Sequence, residues 1–286
     1  AVTGLISLLG VLYILLATPI YRADALLQIE DKKNGGLTAL KDLSPLLGDT
    51  TAVVGEVEII KSRRILGQVV SRLQLDIDAQ PRYFPIIGRA LARRYKESEP
   101  ASPLLGLSSF AWGGEQIKVE RLEVPFDEIG ERLTLIAGND GQYQLLNSDK
   151  EPVLNGVVGQ AAEAKGFKIF VSQLVARPDT RFKLQRTKQQ DAIEDLLEQL
   201  TVKEVVKQSG VVALTLSGPD ADLTARTLAD ITNTYIRQNV EYRSSEAEKT
   251  LKFLEVQLPT LKTQVDNAEA AYNNYRKTRG SVDLSL

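Results

Sequence analysis

Residues 210–225 read GVVALTLSGPDADLTA and contain the change of pattern that decides the fold class. Apolar residues alternate with small or polar ones over 210–218, which is typical of a β-strand with one buried face. The Ser-Gly-Pro-Asp that follows is a good helix start, with Asp220 as candidate N-cap and Asp222 in the first turn. The sequence therefore predicts a strand-rich region that ends near residue 218 and a helix that begins directly after it.

The region before this boundary is a series of alternating segments. The strongest signal is residues 131–146, where two alternating runs flank Asn139-Asp140-Gly141, a turn sequence typical of β-hairpins. Amphipathic or short helices are predicted at 53–75 and 188–200, and loops at 36–52 and 98–114. The order of elements predicts an α+β domain over residues 20–218, with a mostly antiparallel sheet packed by helices. The other predicted strands are 20–30, 115–124, 166–174, 180–187 and 201–206.

The region after the boundary, residues 219–286, is predicted to be one long helical arm. Before about Thr278, Pro259 is the only residue that would break a helix. Apolar and aromatic residues recur at alternating intervals of three and four, which is the a/d seam of a coiled coil. Such a seam favours pairing with a helix of the same chain or of another copy. The seam residues are Leu251, Leu254, Leu258, Leu261, Val265, Ala268, Tyr272 and Tyr275.

Residues 1–19 carry no charge and are predicted to be the end of a transmembrane helix that anchors the chain. The alternatives are a buried core helix and a cleaved signal peptide, the latter because Ala23-Asp24-Ala25 has the form of a cleavage site. Cleavage there would cut into the predicted strand at 20–30, which favours an uncleaved anchor. Because the chain contains no methionine, we expect it to be a piece of a longer protein.

Residues 80–97 (QPRYFPIIGRALARRYKE) combine aromatic and apolar side chains with four arginines. The plainer interpretation is a basic helix end with one solvated and one buried face. The alternative is a membrane-interface segment, in which apolar side chains enter the bilayer boundary and arginines lie near lipid phosphates. The residues that would form such a surface are Phe84, Ile86, Ile87, Arg89, Arg93 and Arg94.

The composition excludes several classes of active site and partner. The chain has no Cys and no His, which rules out a thiol nucleophile, a Ser-His triad and a Cys/His zinc cluster within it. Its 35 basic and 37 acidic residues nearly cancel, so the charge does not favour a nucleic-acid partner. No phosphate-binding loop or dinucleotide-binding glycine motif occurs. Pairs such as Asp76/Asp78 fit solvated surfaces better than catalysis, so no catalytic, cofactor-binding or metal-binding residue is predicted here.

Four stretches resemble the chain-length determinant (Wzz-like) domain of bacterial polysaccharide co-polymerases. The closest similarity is to the Wzc-like branch, the tyrosine autokinases of capsule and exopolysaccharide synthesis. The resemblance extends over essentially the whole sequence and is specific in the order and spacing of its parts. The stretches are LLATPIYRADALLQIED (15–31), EVEIIKSRRILGQVV (56–70), LDIDAQPRYFPIIGRAL (75–91) and EYRSSEAEKTLKFLEVQLPTLKTQVDNAEAAYNNYRKTRGSVDLSL (241–286).

The resemblance implies a bacterial inner-membrane protein with two transmembrane helices and a periplasmic α+β domain topped by a helical hairpin. It also implies a ring-shaped homo-oligomer, commonly an octamer, that works with a polysaccharide polymerase, an outer-membrane exporter and lipid-linked polysaccharide. In the Wzc-like branch a cytoplasmic tyrosine kinase domain, which uses ATP and Mg²⁺, follows the second transmembrane helix. We expect the present sequence to stop before that helix and the kinase.

The expected function is therefore control of the chain length, polymerisation or export of a capsular polysaccharide or exopolysaccharide, by the periplasmic part of an autophosphorylating kinase. One alternative is a kinase-less chain-length regulator of the O-antigen type. Another is a periplasmic adaptor of an export pump, which also combines an anchor, a sheet domain and a coiled-coil hairpin. Adaptors usually carry a lipoyl-like β half-motif on each side of the hairpin, whereas this sequence has a long α/β stretch before its helix.

Overall fold

The structure, a computed structural model, describes residues 16–29, 52–97, 99–206 and 209–278, with the isolated positions 3, 6, 7 and 10. The described residues form antiparallel sheets and a long C-terminal helix, which confirms the predicted α+β fold class at that level. The chain divides into a first unit, Ala1–Thr234, and a second unit, Tyr235–Leu286. The boundary between the units lies inside the long helix.

The described part of the chain contains strands and helices with the following bounds. The strands are β1 (Tyr21–Gln28), β2 (Ile77–Pro81), β3 (Gln116–Glu123), β4 (Arg132–Ala137), β5 (Gln142–Leu146), β6 (Pro152–Val157), β7 (Ala161–Ala164), β8 (Phe167–Val175), β9 (Arg181–Arg186), β10 (Leu200–Glu204) and β11 (Val211–Gly218). The helices are α1 (Ala52–Ile60), α2 (Arg63–Leu73), α3 (Gly88–Arg94), α4 (Gln189–Gln199) and α5 (Ala221–Thr278).

The first sheet joins the two ends of the first unit in the order β1-β11-β10. The antiparallel register places Tyr21 opposite Gly218 and Gln28 opposite Val211. Alternate residues of the central strand β11 are buried, including Val212 and Leu214. The strand predicted at 210–218 is therefore confirmed, and its inward face belongs to the core of the first unit.

Helices α2 and α4 pack together beside this sheet. Four residues of α2 are buried on one face: Ile65, Leu66, Val69 and Val70. Gly67 allows the close approach, because a Cβ at this position would lie 3.3 Å from Cδ1 of Ile193 on α4. The side-chain amide of Gln189 then donates a hydrogen bond to the hydroxyl of Ser71 over 2.7 Å.

The single helix predicted over 53–75 is wrong, because the structure contains two helices, α1 and α2, separated at Lys61 and Ser62. Ser62 has an extended backbone (φ −64°, ψ 147°), and its hydroxyl accepts a hydrogen bond from the N–H of Ile65 over 3.5 Å. Serine favours this N-cap geometry over a helix interior, since its oxygen satisfies a backbone donor of the new helix.

Strands β2–β9 form a β-domain that lies within the first unit and is inserted between α2 and α4. It consists of a five-stranded sheet in the order β2-β9-β4-β5-β6 and a three-stranded sheet in the order β3-β8-β7. The two sheets share one hydrophobic core, in which side chains from both sheets are almost completely buried. Members of this core are Leu122, Leu133, Leu135, Tyr143, Leu145, Phe167, Ile169, Val171, Phe182 and Leu184.

The segments where the chain enters and leaves the inserted domain contact each other directly. The guanidinium of Arg186, at the end of β9, pairs with the carboxylate of Asp76 over 2.7 Å, just before β2 begins. The N–H of Thr187 donates to the carbonyl of Asp76 over 2.9 Å. Asp76 is 6% exposed, so its carboxylate is shielded from solvent, and the pair fixes the start of the inserted domain against its end.

The hairpin predicted at 131–146 is confirmed as β4 and β5, with Thr134 opposite Leu146. Asp140 and Gly141 have φ values of 52° and 74°, the left-handed conformation that two-residue hairpin turns require. The other predicted strands and the short helix at 188–200 also occur, with ends shifted by one or two residues. Strands β2, β6 and β7 were not predicted.

Helix α5 runs from Ala221 to Thr278 and continues through Pro259. Its predicted cap is confirmed, because the carboxylate of Asp220 accepts a hydrogen bond from the N–H of Leu223 over 2.9 Å. The part of the predicted arm after residue 278 lies outside the described residues, as do residues 36–51 of the predicted loop.

The transmembrane helix predicted at 1–19 lies for the most part outside the described residues. Within the described part of the chain, no helix combines the length and the apolar character that a membrane span requires.

Candidate interaction surfaces

Residues 82–84 are fixed to the inserted domain by backbone hydrogen bonds. The N–H of Arg82 donates to the carbonyl of Arg181 in β9, and the carbonyl of Arg82 accepts from the N–H of Ala111, each over 2.9 Å. Tyr83 and Ala111 form a parallel β-bridge. The chain between β2 and α3 is therefore part of the domain's hydrogen-bonded framework and not a free loop.

An aromatic cluster, formed by Phe84, Phe110 and Trp112, packs beneath this bridge. The ring of Phe84 stacks on Trp112 with a centroid distance of 5.5 Å and meets Phe110 edge-on at 5.4 Å. The guanidinium carbon of Arg82 lies 4.9 Å from the Phe110 ring centroid, a cation–π geometry. Phe84, which the sequence placed on a membrane-interface surface, thus packs towards the domain, and Trp112 is only 5% exposed.

A buried carboxylate closes the cluster. The side chain of Glu115 is fully buried and accepts hydrogen bonds from the backbone N–H groups of Trp112 (3.0 Å) and Gly113 (2.7 Å). The guanidinium of Arg177 supplies the countercharge at 3.1 Å. Burial raises the pKa of the Tyr83 hydroxyl, and the charge of Glu115 raises it further. Sequence patterns gave no signal for the Glu115–Arg177 pair, since its members are 62 positions apart.

Two glycines let α3 and the segment after it lie close against this cluster. A Cβ on Gly88, the first residue of α3, would lie 3.1 Å from the Cβ of Phe84. Gly113 has a φ of 143°, and a Cβ there would lie only 2.5 Å from the Cβ of Tyr95. Side chains at either position would push α3 away, so the glycines fix where the helix sits.

The opposite side of this segment is the Ile86 surface, which we define as Ile86, Ile87, Arg89, Leu91, Arg93 and Arg94. All six residues are exposed, and Ile86 is 80% exposed. The guanidinium of Arg89 donates to the side chain of Gln80 over 2.9 Å. The guanidinium of Arg93 donates to the backbone carbonyl of Leu16 over 3.3 Å. Five of the six predicted membrane-interface residues are therefore exposed, on α3 or directly before it.

The heptad seam lies on the second unit, in the part of α5 after Thr234. All eight predicted seam residues are exposed; Leu251 and Leu258 have about 60% of their surface accessible (61% and 59%). Exposed leucines at a/d spacing over several heptads are typical of a helix that pairs with another helix. Val256 is also exposed (63%) but lies off the seam, which makes it a useful reference position.

The described residues include few groups placed to perform chemistry. Among the described residues, no cluster of three or more carboxylate, His or Cys side chains could hold a metal ion. An open depression of about 500 Å³ in the inserted domain lies over Tyr143 and Gly156. Burial raises the pKa of the Tyr143 hydroxyl, and this hydroxyl has no hydrogen-bond partner within the described part of the chain. The prediction that this segment holds no catalytic residue and no cofactor stays a prediction.

Two family models match successive parts of the chain. The chain length determinant protein family (Wzz) matches residues 1–73. The N-terminal domain of the tyrosine-protein kinase Wzc matches residues 77–187. The second match begins at the first residue of β2 and ends one residue after β9, so its limits coincide with those of the inserted domain.

Curated relatives match over nearly the whole chain. EpsB of Ralstonia nicotianae, named as a candidate tyrosine-protein kinase, is 39% identical over 99% of this chain and 38% of its own length. The tyrosine-protein kinase etk of Escherichia coli K12 is 36% identical over 100% of this chain and 37% of its own. The tyrosine-protein kinase wzc of Salmonella typhimurium is 36% identical over 99% of this chain and 37% of its own length.

The chain thus spans a little over a third of the length of these relatives. Among solved structures, FlgL of Xanthomonas campestris aligns with 12% identity over 58% of this chain and 46% of its own, and its TM-score of 0.24 is too low to indicate a shared fold. The two family matches and the near-complete coverage by tyrosine-protein kinases agree with the resemblance noted from the sequence. The chain therefore carries a Wzz chain length determinant region followed by the N-terminal domain of Wzc tyrosine-protein kinases, and its homologues are tyrosine-protein kinases of the Wzc and Etk type.

Proposed function

We propose that this chain is the periplasmic part of a bacterial inner-membrane co-polymerase that controls the chain length, polymerisation or export of a capsular polysaccharide or exopolysaccharide. The observation that carries the proposal is the order of the two family matches, with a chain length determinant segment followed directly by a Wzc N-terminal domain. In this proposal the chain organises other molecules and does no bond chemistry itself.

The fold supports a scaffolding role. The chain length determinant segment supplies β1, α1 and α2, and the Wzc-type domain is inserted after them as a pair of sheets with its own core. Ion pairs at Asp76–Arg186 and Glu115–Arg177, each with a buried carboxylate, fix this domain at its start and internally. A rigid domain of this kind suits repeated copies that pack side by side in a ring, with polymerase, exporter and lipid-linked polysaccharide as partners.

The arm supports association between copies. The leucines of the seam are exposed along α5, and a/d seams bury such side chains when two or more helices pair. We propose that seams of neighbouring copies, or of returning helices within them, contact each other in a homo-oligomeric ring, with eight copies as the expected number.

The intact protein is proposed to be a tyrosine autokinase. The curated relatives are named tyrosine-protein kinases, and this chain, which matches a little over a third of their length, contains no phosphate-binding loop. ATP and Mg²⁺ would therefore be bound in a separate, cytoplasmic domain. Residues 1–19 would anchor the chain in the inner membrane and place residues 20–286 mainly in the periplasm.

The first experiment is native mass spectrometry of the intact protein in detergent, before and after addition of ATP and Mg²⁺. A discrete oligomer that gains several phosphates, mapped to tyrosines outside this segment, is the expected result. An oligomer that never gains mass would identify a kinase-less chain-length regulator of the O-antigen type. A strictly monomeric protein, in detergent and in lipid nanodiscs alike, would refute the scaffold proposal.

The seam is tested with a matched pair of substitutions on one helix. Leu261→Glu places a charge in the seam, whereas Val256→Glu places it at a similarly exposed position off the seam (53% and 63% exposed). The seam variant is expected to lower the oligomer fraction markedly and the control to leave it unchanged, because a charge at an a/d position is disfavoured in a paired helix. Equal effects of the two substitutions would show that the seam has no special part in assembly.

A further inference from the structure

The Ile86 surface begins with an unfavourable backbone conformation. Ile86 has a φ of 66°, in the left-handed region that β-branched residues rarely adopt, and its side chain is 80% exposed. The conformation is enforced from both sides: Phe84 is stacked on Trp112, and the N–H of Gly88 donates to the carbonyl of Phe84 over 3.0 Å. An isoleucine held in a disfavoured conformation and turned outward gains nothing for the fold, so a function at this position is the better explanation.

The neighbouring residues give the surface an amphipathic character. Ile87 and Leu91 add exposed apolar side chains to that of Ile86. Arg89, Arg93 and Arg94 lie on the same short helix, and residues 80–96 contain four arginines, one lysine and no acidic residue. Exposed apolar side chains flanked by arginines are the composition of segments that lie in the headgroup region of a bilayer.

The surface is also joined to the apolar N-terminal segment. The guanidinium of Arg93 donates to the carbonyl of Leu16, three residues before that uncharged segment ends. Ile20, directly after the segment, is exposed as well. If residues 1–19 span the membrane as proposed above, the contact between Arg93 and Leu16 brings α3 to the level at which the chain leaves the bilayer.

A second copy of the chain is a poorer occupant of this surface. Three apolar side chains fall far short of the roughly 800 Å² per partner that a stable protein interface buries. In a two-fold contact the same patch would face itself and its arginines would repel each other, and in the heterologous contacts of a ring three apolar side chains would still bury too little area. A bilayer, in contrast, offers both contacts: its lipid phosphates complement the charge of the arginines, and its acyl chains cover the apolar side chains.

From these observations we infer that the Ile86 surface is a membrane-interface contact. Ile86, Ile87 and Leu91 enter the boundary between headgroups and acyl chains, and Arg89, Arg93 and Arg94 pair with lipid phosphates. This inference rests on the proposed membrane anchor and adds a second, peripheral contact that fixes the height and tilt of the domain above the bilayer. The aromatic cluster and the Glu115–Arg177 pair hold the surface in position from behind.

The absence of cysteine allows a direct test by site-specific labelling. Single cysteines are introduced as Ile86→Cys and, as a matched control, Phe126→Cys, because Phe126 is an equally exposed large apolar residue (86%) elsewhere on the inserted domain. Each variant of the full chain is labelled with an NBD fluorophore and reconstituted into vesicles of phosphatidylethanolamine and phosphatidylglycerol. Quenching is then measured with doxyl-labelled lipids and, separately, with aqueous iodide. Ile87→Cys provides a second probe, and Trp112 fluorescence verifies that each variant is folded.

The probe at position 86 is expected to emit at shorter wavelength and to be quenched by shallow doxyl lipids, as for groups buried about 5–10 Å into the boundary. The probe at position 126 is expected to be quenched by iodide. Iodide quenching at position 86 equal to that at 126 would overturn the inference, as would shielding from both quenchers, which would indicate a protein contact.

Charge reversal tests the arginines separately from the apolar residues. Arg94→Glu is expected to reduce lipid quenching of the probe at 86, whereas Arg132→Glu, at an exposed position on β4, is expected to leave it unchanged. Equal quenching in all backgrounds would overturn the role assigned to the arginines. Vesicle flotation separates this inference from the proposed function: a chain that does not float with vesicles contradicts the anchor itself, whereas one that floats with position 86 in water contradicts only the interface contact.

Discussion

Replacing Glu115 with alanine is expected to destabilise the inserted domain severely. The substitution leaves the guanidinium of Arg177 without its countercharge and removes the acceptor of two buried N–H groups, those of Trp112 and Gly113. Breaking a buried ion pair on one side costs about 3–5 kcal/mol, and the orphaned donors contribute to that cost. Because the Arg177 side chain is 20% exposed and can be partly rehydrated, we expect about 3 kcal/mol.

Urea unfolding followed by tryptophan fluorescence measures this effect at the site itself, since Trp112 is the only tryptophan. A loss of about 3 kcal/mol lowers the unfolding midpoint by roughly 1–3 M urea. The matched control is Glu120→Ala, which removes the exposed ion pair between Glu120 and Lys118 and is expected to cost no more than about 0.5 kcal/mol. If the free energy of unfolding of Glu115→Ala lay within about 1 kcal/mol of the parent's, the loss would be no larger than that of an exposed ion pair. This result would refute the structural role of the buried carboxylate.

Three further predictions concern other positions. Tyr143→Phe is expected to leave stability unchanged or raise it by about 1 kcal/mol at pH 7, because the buried hydroxyl has no partner among the described residues. Since burial raises the pKa of Tyr143 in the folded state, the free energy of unfolding of the parent should fall as pH rises above about 10. The variant should show a smaller fall in urea titrations, and an identical pH profile would contradict this. Asp76→Asn weakens the pair with Arg186 at the start of the inserted domain and is expected to cost about 1–3 kcal/mol. Hydrogen exchange should accelerate in β2 and β9 but not in β5, and uniform acceleration would argue against a local role. Gly88→Ala forces a methyl group against the Cβ of Phe84 and is expected to cost about 1–3 kcal/mol. Unchanged thermal stability, together with an unchanged Trp112 spectrum, would show that α3 can move aside.

Local patterns sufficed to predict much of the fold. The hairpin of β4 and β5 is specified by its own turn, and the Asp220 cap by a short polar stretch. Strands that depend on tertiary pairing escaped prediction. Strand β7 reads AAEA, a poor strand former by itself, and exists because it pairs with β8. Strand β2 ends in Pro81, which an edge strand tolerates but which hides the strand from a pattern search.

The candidate surfaces likewise have some features that local sequence predicts and others that depend on tertiary contacts. The seam of α5 and the basic character of residues 80–97 follow from spacing and composition alone. The stacking of Phe84 on Trp112, the strain at Ile86 and the support by Glu115 and Arg177 depend on residues far apart in the chain, which a single sequence does not reveal. Sequence therefore indicated which segment is amphipathic, whereas the structure distinguished its outward residues from its inward ones.

The pairing of β1 with β11 has a consequence for the order of events on the ribosome. Gln28 pairs with Val211, so about 180 further residues must be synthesised before β1 can pair with β11 in the first sheet. At roughly 5–20 residues per second, this delay is on the order of 10–40 s. The inserted domain is complete by residue 186 and can fold during that interval, while β1 presents open edges. If residues 1–19 anchor the chain as proposed, β1 stays at the bilayer surface throughout this interval, with its edges unpaired until β11 has been made.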